Sequence, residues 1–299
     1  MSGWPAGLAT AIGVVMALFA LRDIVHTIWH PSGRSGLSRL LMEGVWRASR
    51  RGRRKRWPGH FSGPLAMGLV ALTWLLLLQL GFALVYLPHL PEGFVYGSGL
   101  EPSERGGFAD AMYLSAVTLA TLGFGDIVPT ATFLRIVVPT QALIGFALIS
   151  AAVSWVLQIY PALTRRRSLA VRLAQLRRAP TREMVRTSPS PVATALLLEV
   201  ADRLADLRAD LTQYSETYYF RDHDDEASLP AMLGVALDVA DEARRSPDVD
   251  VRFAGRLLDI AIEDYLAVVD SHFLDLGGSV REISAAYAED HGREVVLAW

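Results

Sequence analysis

Three apolar stretches constrain this chain more than any other feature. Residues 5–28, 64–87 and 133–160 are each long and apolar enough to cross a bilayer, a crossing that takes about 20 residues. Trp4 and Trp29 bracket the first stretch, at the depth where amphipathic rings settle. It does not read as a cleaved signal peptide, because no basic segment precedes it and its apolar run is too long. Residues 31–63 carry nine basic side chains against one acid, Glu43, and Arg165-Arg166-Arg167 follows the third stretch. The excess of basic residues on cytoplasmic loops puts both segments inside and the N-terminus outside. Lysine occurs once, as Lys55, against 28 arginines, and there is no cysteine, so no disulfide or thiolate chemistry is available. The arginine bias fits a bacterial inner-membrane protein.

Between the second and third stretches stands Thr121-Leu122-Gly123-Phe124-Gly125-Asp126. Glycine reaches backbone angles closed to other residues, so this alternation lets consecutive carbonyls point the same way. A row of carbonyl oxygens can replace the water shell of a cation, and the Thr121 hydroxyl adds one more oxygen. Such backbone survives at membrane depth only where it lines a water-filled path. These residues resemble the selectivity signature of the potassium channel family, usually Thr-Val-Gly-Tyr-Gly-Asp. Leu122 replaces valine, which matters little because the backbone is the ligand. Phe124 replaces tyrosine and keeps the ring but not the hydroxyl.

The flanks extend the resemblance over about residues 65–163. Residues 108–120 read as a short pore helix with Asp110 in its first turn, where an acid suits the helix dipole. Gly145 lies where the family's inner helix has a hinge point, and a close helix contact is the equal alternative for a small residue. Pro139 can kink the same helix because it removes a backbone donor. The resemblance implies a homotetramer closing one carbonyl ring. K⁺ would bind at Thr121, Leu122, Gly123, Phe124 and Gly125, with Asp126 at the filter mouth. It also implies no cofactor beyond the permeant ion. Two positions depart from the family. Tyr113-Leu114 replaces a pair of aromatic residues, and Val117 stands where some members have an acid that bonds toward the acid after the filter. Asp126 is therefore expected to lack that partner, leaving a filter braced more by packing than by a hydrogen-bonded cuff.

Other polar residues near the spans carry weaker signals. Arg22, Asp23 and His26 are function candidates by their place in a span, and the expected reading is an ion pair reaching the interface. His26 and His30 have a spacing that can share a metal, with no third ligand evident. One arginine in the first span does not make a voltage sensor. Arg50, Arg51, Arg53, Arg54, Lys55 and Arg56 can hold anionic lipid headgroups. Leu37, Leu40, Leu41, Val45 and Trp46 form an apolar stripe suited to the membrane surface. Gln79 is expected to hydrogen-bond a neighbouring helix. Residues 88–107 read as an irregular loop whose Glu92, Glu101 and Glu104 either draw cations to the pore mouth or are simply solvated.

After residue 165 the character changes. Residues 165–185 read as a separate basic amphipathic helix interrupted by Pro180, followed by the linker Ser188-Pro189-Ser190-Pro191. Helical spacing recurs over residues 193–211, 229–243, 252–269 and 280–288. From Pro191 on there are 23 acids against nine arginines, which argues against nucleic-acid binding. No glycine-rich nucleotide turn follows a strand, and no nucleophile or phosphate motif points to an enzyme. Asp222-His223-Asp224-Asp225-Glu226 is either a divalent-cation cluster or a plain loop. Tyr214, Tyr218, Tyr219 and Phe220 are expected as core or subunit contact rather than a ligand cage.

The expectation is an all-α membrane protein. It has three transmembrane helices with a re-entrant pore helix and selectivity filter, followed by an α-helical cytosolic domain. The divisions are residues 1–30 (N-terminal transmembrane helix), 31–63 (basic cytoplasmic loop), 64–164 (pore domain) and 165–299 (cytosolic domain). The function expected is passive potassium-selective conduction, gated near Gly145 under the influence of a domain whose ligand is unknown. A weakly selective cation channel and a non-conducting membrane-anchored sensor are the alternatives.

Overall fold

The computed structural model describes residues 4–29, 36–51, 61–186 and 191–299, and they are helical almost throughout. The helices are α1 (Trp4–Trp29), α2 (Leu37–Arg51), α3 (Ser62–Tyr86), α4 (Phe108–Leu119) and α5 (Leu134–Arg178). They continue as α6 (Thr181–Arg186), α7 (Pro191–Gln213), α8 (Leu229–Ala243), α9 (Val249–Val269) and α10 (Val280–His291). Helices α1, α3 and α5 are long and apolar enough to cross a membrane, so this is an all-α, multi-pass membrane protein. The chain forms two compact units. One gathers Met1–Ser38 with Met67–Leu157, the other Arg39–Ala66 with Gln158–Trp299.

In the first unit, α1 and α3 meet glycine to glycine. A Cβ on Gly81 would stand 2.8 Å from Gly13 O and 3.1 Å from Ala17 N. Ala20 and Ala83 are fully buried. In lipid, small residues allow the close backbone approach that gives helices their van der Waals contact. Asp23 is buried near the end of α1. It accepts hydrogen bonds from Leu37 N at 2.9 Å, Trp74 Nε1 at 2.8 Å and Ser38 Oγ. The expected interfacial ion pair is thus replaced by a carboxylate that caps the first amides of α2 and holds α3.

Two further sequence expectations need correction. The 88–107 segment is not wholly irregular. β1 (Phe94–Tyr96) pairs antiparallel with β2 (Ile127–Pro129), with Val95 opposite Val128. A three-residue strand is too short for its alternation to be read against loop residues rich in glycine and proline. The third apolar stretch and the basic helix after it are one 45-residue helix, α5, unbroken at Pro139 and Pro161. Arginines past the apolar part have partners that keep it helical. Arg165 pairs with Asp210 at 2.6 Å and Arg172 with Glu199 at 3.1 Å. It stops just before Pro180, as a residue without an amide hydrogen dictates.

The second unit is a helical domain in which α9 packs on α7 and α8. Leu204, Ala240, Leu258, Ile262 and Leu266 are buried in it. Asp248 caps α9 by accepting from Asp250 N and Val251 N, and Ser279 with Glu282 forms a capping box on α10. Of the apolar stripe on α2, Trp46 enters this core, while Leu40 is 65% exposed. Met42 and Trp46 are buried. The Trp46 ring lies 5.9 Å from both Tyr218 and Tyr219 and 5.0 Å from His291. Asp290 accepts from Trp46 Nε1 and Tyr218 Oη, each at 2.7 Å, and pairs with Arg50. Arg50 is thereby engaged by a carboxylate, with half of its side chain still exposed. Arg53, Arg54, Lys55, Arg56, His30 and residues 188–190 lie outside the described residues.

Tyr218 and Tyr219 are core residues, as their spacing predicts. The acidic run 222–226 is a charge-paired loop. Asp222 accepts from Arg167 Nε at 2.7 Å and Arg166 at 3.1 Å, and Asp225 from Arg293 at 2.6 Å. No metal-binding group of His, Asp and Glu occurs among the described residues.

Candidate functional site: the glycine strip after α4

Helix α4 starts at a capping box in which Asp110 Oδ2 accepts from Gly107 N at 3.2 Å. At its other end the chain turns sharply. Thr121 N donates to Thr118 O at 3.0 Å and Leu122 N to Val117 O at 2.9 Å. From there the backbone alternates. Thr121, Gly123 and Gly125 lie in the left-handed region at φ of 58°, 54° and 75°. Left-handed residues at every second position, between residues of ordinary φ, turn successive carbonyls toward one side. Glycine takes this conformation freely. Threonine does not, at a cost of about 1–2 kcal/mol. A β-branched residue held there is strain of the kind found at functional sites, and nothing in the residue order announces that the alternation begins two residues before the first glycine. Leu122 is 59% exposed and Phe124 66% in the single chain, so this strip has little covering from its own subunit.

Behind the strip stands a buried polar relay. Tyr86 Oη donates to Gln141 Oε1 at 2.6 Å, and Gln141 Nε2 to Ser115 O at 3.0 Å and Ser115 Oγ at 2.8 Å. Ser115 Oγ donates to Gln79 O at 2.7 Å. The relay ties α3, α4 and α5 together where hydrocarbon offers no alternative partner. Gln79 itself reaches Met112 O at 3.5 Å. Its neighbouring-helix bond was expected; Gln141 and Tyr86 were missed. A lone glutamine in an apolar span was the available signal.

The departure at Val117 does not leave Asp126 alone. Tyr113 Oη, one turn earlier on α4, donates to Asp126 Oδ2 at 2.6 Å. The partner missing at Val117 is thus supplied from Tyr113, the first residue of the pair that matches the family's two aromatic positions. The ribbon adds a second hold, with Gly97 N donating to Asp126 O at 2.8 Å. Gly145 is in contact with α4: a Cβ there would overlap Leu119 O and lie 2.8 Å from Leu119 C. The close-contact alternative thus has a visible partner. Pro139 lies within α5, two residues before Gln141.

These elements define the class first. Residues 72–160 match a family described as "Ion channel", and this stretch of the chain is similar to that family. Two curated relatives are similar over parts of their length. An uncharacterized membrane protein of Bacillus subtilis is 26% identical over 164 residues, 53% of this chain and 46% of the relative. A "Putative potassium channel protein" of Rhodopseudomonas palustris is 32% identical over 92 residues, 31% of this chain and 21% of the relative. The chain spans less than half the length of either. No solved structure matches it.

Proposed function

We propose that this chain is a subunit of a potassium-selective channel that conducts K⁺ passively. The observation that carries the reading is the left-handed alternation at Thr121, Gly123 and Gly125, on an uncovered strip directly after a short apolar helix. Carbonyls of Thr121, Leu122, Gly123, Phe124 and Gly125 would replace the ion's hydration shell, and Asp126 would sit at the mouth. One strip per chain supplies one wall, so the reading requires several copies around an axis, and we assign a homotetramer. The C-terminal end of α4 would place the negative end of its dipole toward the ion path. The basic segments would face the cytoplasm and the strip the outside. In this reading residues 1–30 and 31–63 precede a pore domain at 64–164, and residues 165–299 form the cytoplasmic domain that biases an inner-helix gate near Pro139 and Gly145. The ion-channel match over residues 72–160 supports the class.

The test is K⁺ flux into liposomes holding the purified full chain, with Na⁺ as competitor. K⁺-preferring flux that vanishes in Gly123→Ala is expected, since alanine is strained at φ +54°. Equal passage of Na⁺ would replace this reading by a weakly selective cation channel. Flux indifferent to Gly123→Ala would overturn both.

A further inference from the structure

Basic and acidic side chains balance over the second unit, at 25 each, yet one groove on it is rich in arginine. It measures about 550 Å³ and runs between α5 and α7. Arg167, Ser168, Arg172 and Gln175 face it from α5, and Glu199 and Arg203 from α7. Their spacing puts each set on one helix face. Three guanidiniums thus meet one carboxylate within the groove, and Arg167 also donates from Nε to Asp222 beside it at 2.7 Å.

That carboxylate is shared. Glu199 accepts from Arg172 at 3.1 Å and from Arg203 at 3.0 Å, and Arg203 and Arg172 are 44% and 38% exposed. Each guanidinium has five donors, so one glutamate orients both and leaves most of their N–H groups unspent. Arg172 Nε is buried and finds no hydrogen-bond partner among the described residues. Planar guanidiniums held in fixed orientation suit bidentate recognition of phosphoryl oxygens.

On the other side of the Arg172–Glu199 pair lies a second hollow of about 390 Å³, lined by Val192, Ala195 and Leu196. Val192 is 68% exposed. The two hollows share a wall, one cationic and one apolar. Their volumes fall in the range of small-molecule sites.

We propose that this paired groove binds a phosphorylated small molecule. Its phosphoryl group would lie among Arg167, Arg172 and Arg203, and its apolar part against Val192, Ala195 and Leu196. The site stands independently of the proposed conduction. If both hold, the ligand would be read directly by α5, the helix that carries Gly145 and Pro139.

The test is calorimetric titration of the full chain in neutral detergent with ADP and with pyrophosphate. Partition to phosphatidylglycerol vesicles is measured alongside. Saturable ADP binding, tighter than pyrophosphate and weakened by added salt, is expected. Arg203→Ala and Arg172→Ala should each weaken it roughly 10- to 100-fold, the loss of a charge-assisted contact. Glu199→Gln should tighten it, because that change removes a competing carboxylate while keeping the side chain's shape; this variant decides the matter if an arginine variant fails to fold. Pyrophosphate binding as well as ADP would overturn the apolar half. Arginine-dependent partition to vesicles without soluble binding would assign the phosphoryl group to a lipid headgroup. No binding to any of the three probes, or binding unmoved by Arg203→Ala and Glu199→Gln, would overturn the site.

Discussion

The two units hold their polar groups by different means. In the first, neutral hydrogen bonds link the helices, as in the Tyr86–Gln141–Ser115 relay, and the ion pair Arg105–Asp110, at 3.6 Å, lies in the loop region. In the second, arginine–carboxylate pairs join helix to helix, among them Arg165–Asp210 between α5 and α7 at 2.6 Å. The solvent explains the difference. A lone charge facing hydrocarbon is costly, whereas a water-exposed helix surface tolerates charges and gains little from each pair. Where a charge does enter the first unit, at Asp23, three donors surround it.

Breaking the second unit's aromatic centre should have the largest effect. Trp46→Ala is expected to cost about 3–5 kcal/mol and to leave Asp290 without one of its donors. Hydrogen exchange of α9 amides should accelerate while that of α4 stays unchanged; acceleration in α4 alone would break the comparison. In the first unit, Gln141→Leu should cost about 1–3 kcal/mol, because the Tyr86 hydroxyl is left buried without its acceptor. Exchange should then rise in α4 and not in α9.

Titration sharpens the contrast further. Burial pushes Glu216 up to about 7 and His291 down to about 4, the latter helped by the Arg166 charge. The folded unit keeps a proton on Glu216 that the unfolded chain loses, so this stability is full below the ordinary carboxylate range and fades as pH rises through 7. His291 acts oppositely: the unfolded chain takes up a proton the folded one refuses, and stability falls as pH drops from 6.5 toward 4. The two slopes cancel in part. Glu216→Gln should expose the histidine slope as a steady loss of thermal stability between pH 6.5 and 4. A flat profile in that variant would show that His291 does not titrate as its burial requires.

The smallest effect is expected at the strip. Tyr113→Phe removes the bond to Asp126 from an exposed site, where water can replace the lost partner. Overall unfolding should barely move, while K⁺ flux declines faster after onset than in the unaltered chain. Equal flux decay in the two proteins would show the bond to be idle.

The spans and the four main C-terminal helices were legible because a long apolar run and a 3.6-residue period are both properties of the local sequence. So was the glycine alternation at 123 and 125. The left-handed Thr121 was not, since nothing in a threonine announces the backbone it is forced into. Nor were the partners of Asp23 and Asp126, which come from Trp74 and Tyr113, residues whose apolar rings read simply as membrane or core. The α2 stripe was legible as amphipathic, but its partner was not: an apolar face looks the same whether it meets lipid or Tyr218.

The seat of Gly145 against Leu119 O has a mechanical consequence. From that seat α5 runs on to Arg178, about 50 Å at the rise of an α-helix. A Cβ at position 145 would overlap the Leu119 carbonyl, so that carbonyl is a stop against which any larger side chain must push. The stop is Leu119, the last residue of α4, and the strip begins two residues later at Thr121.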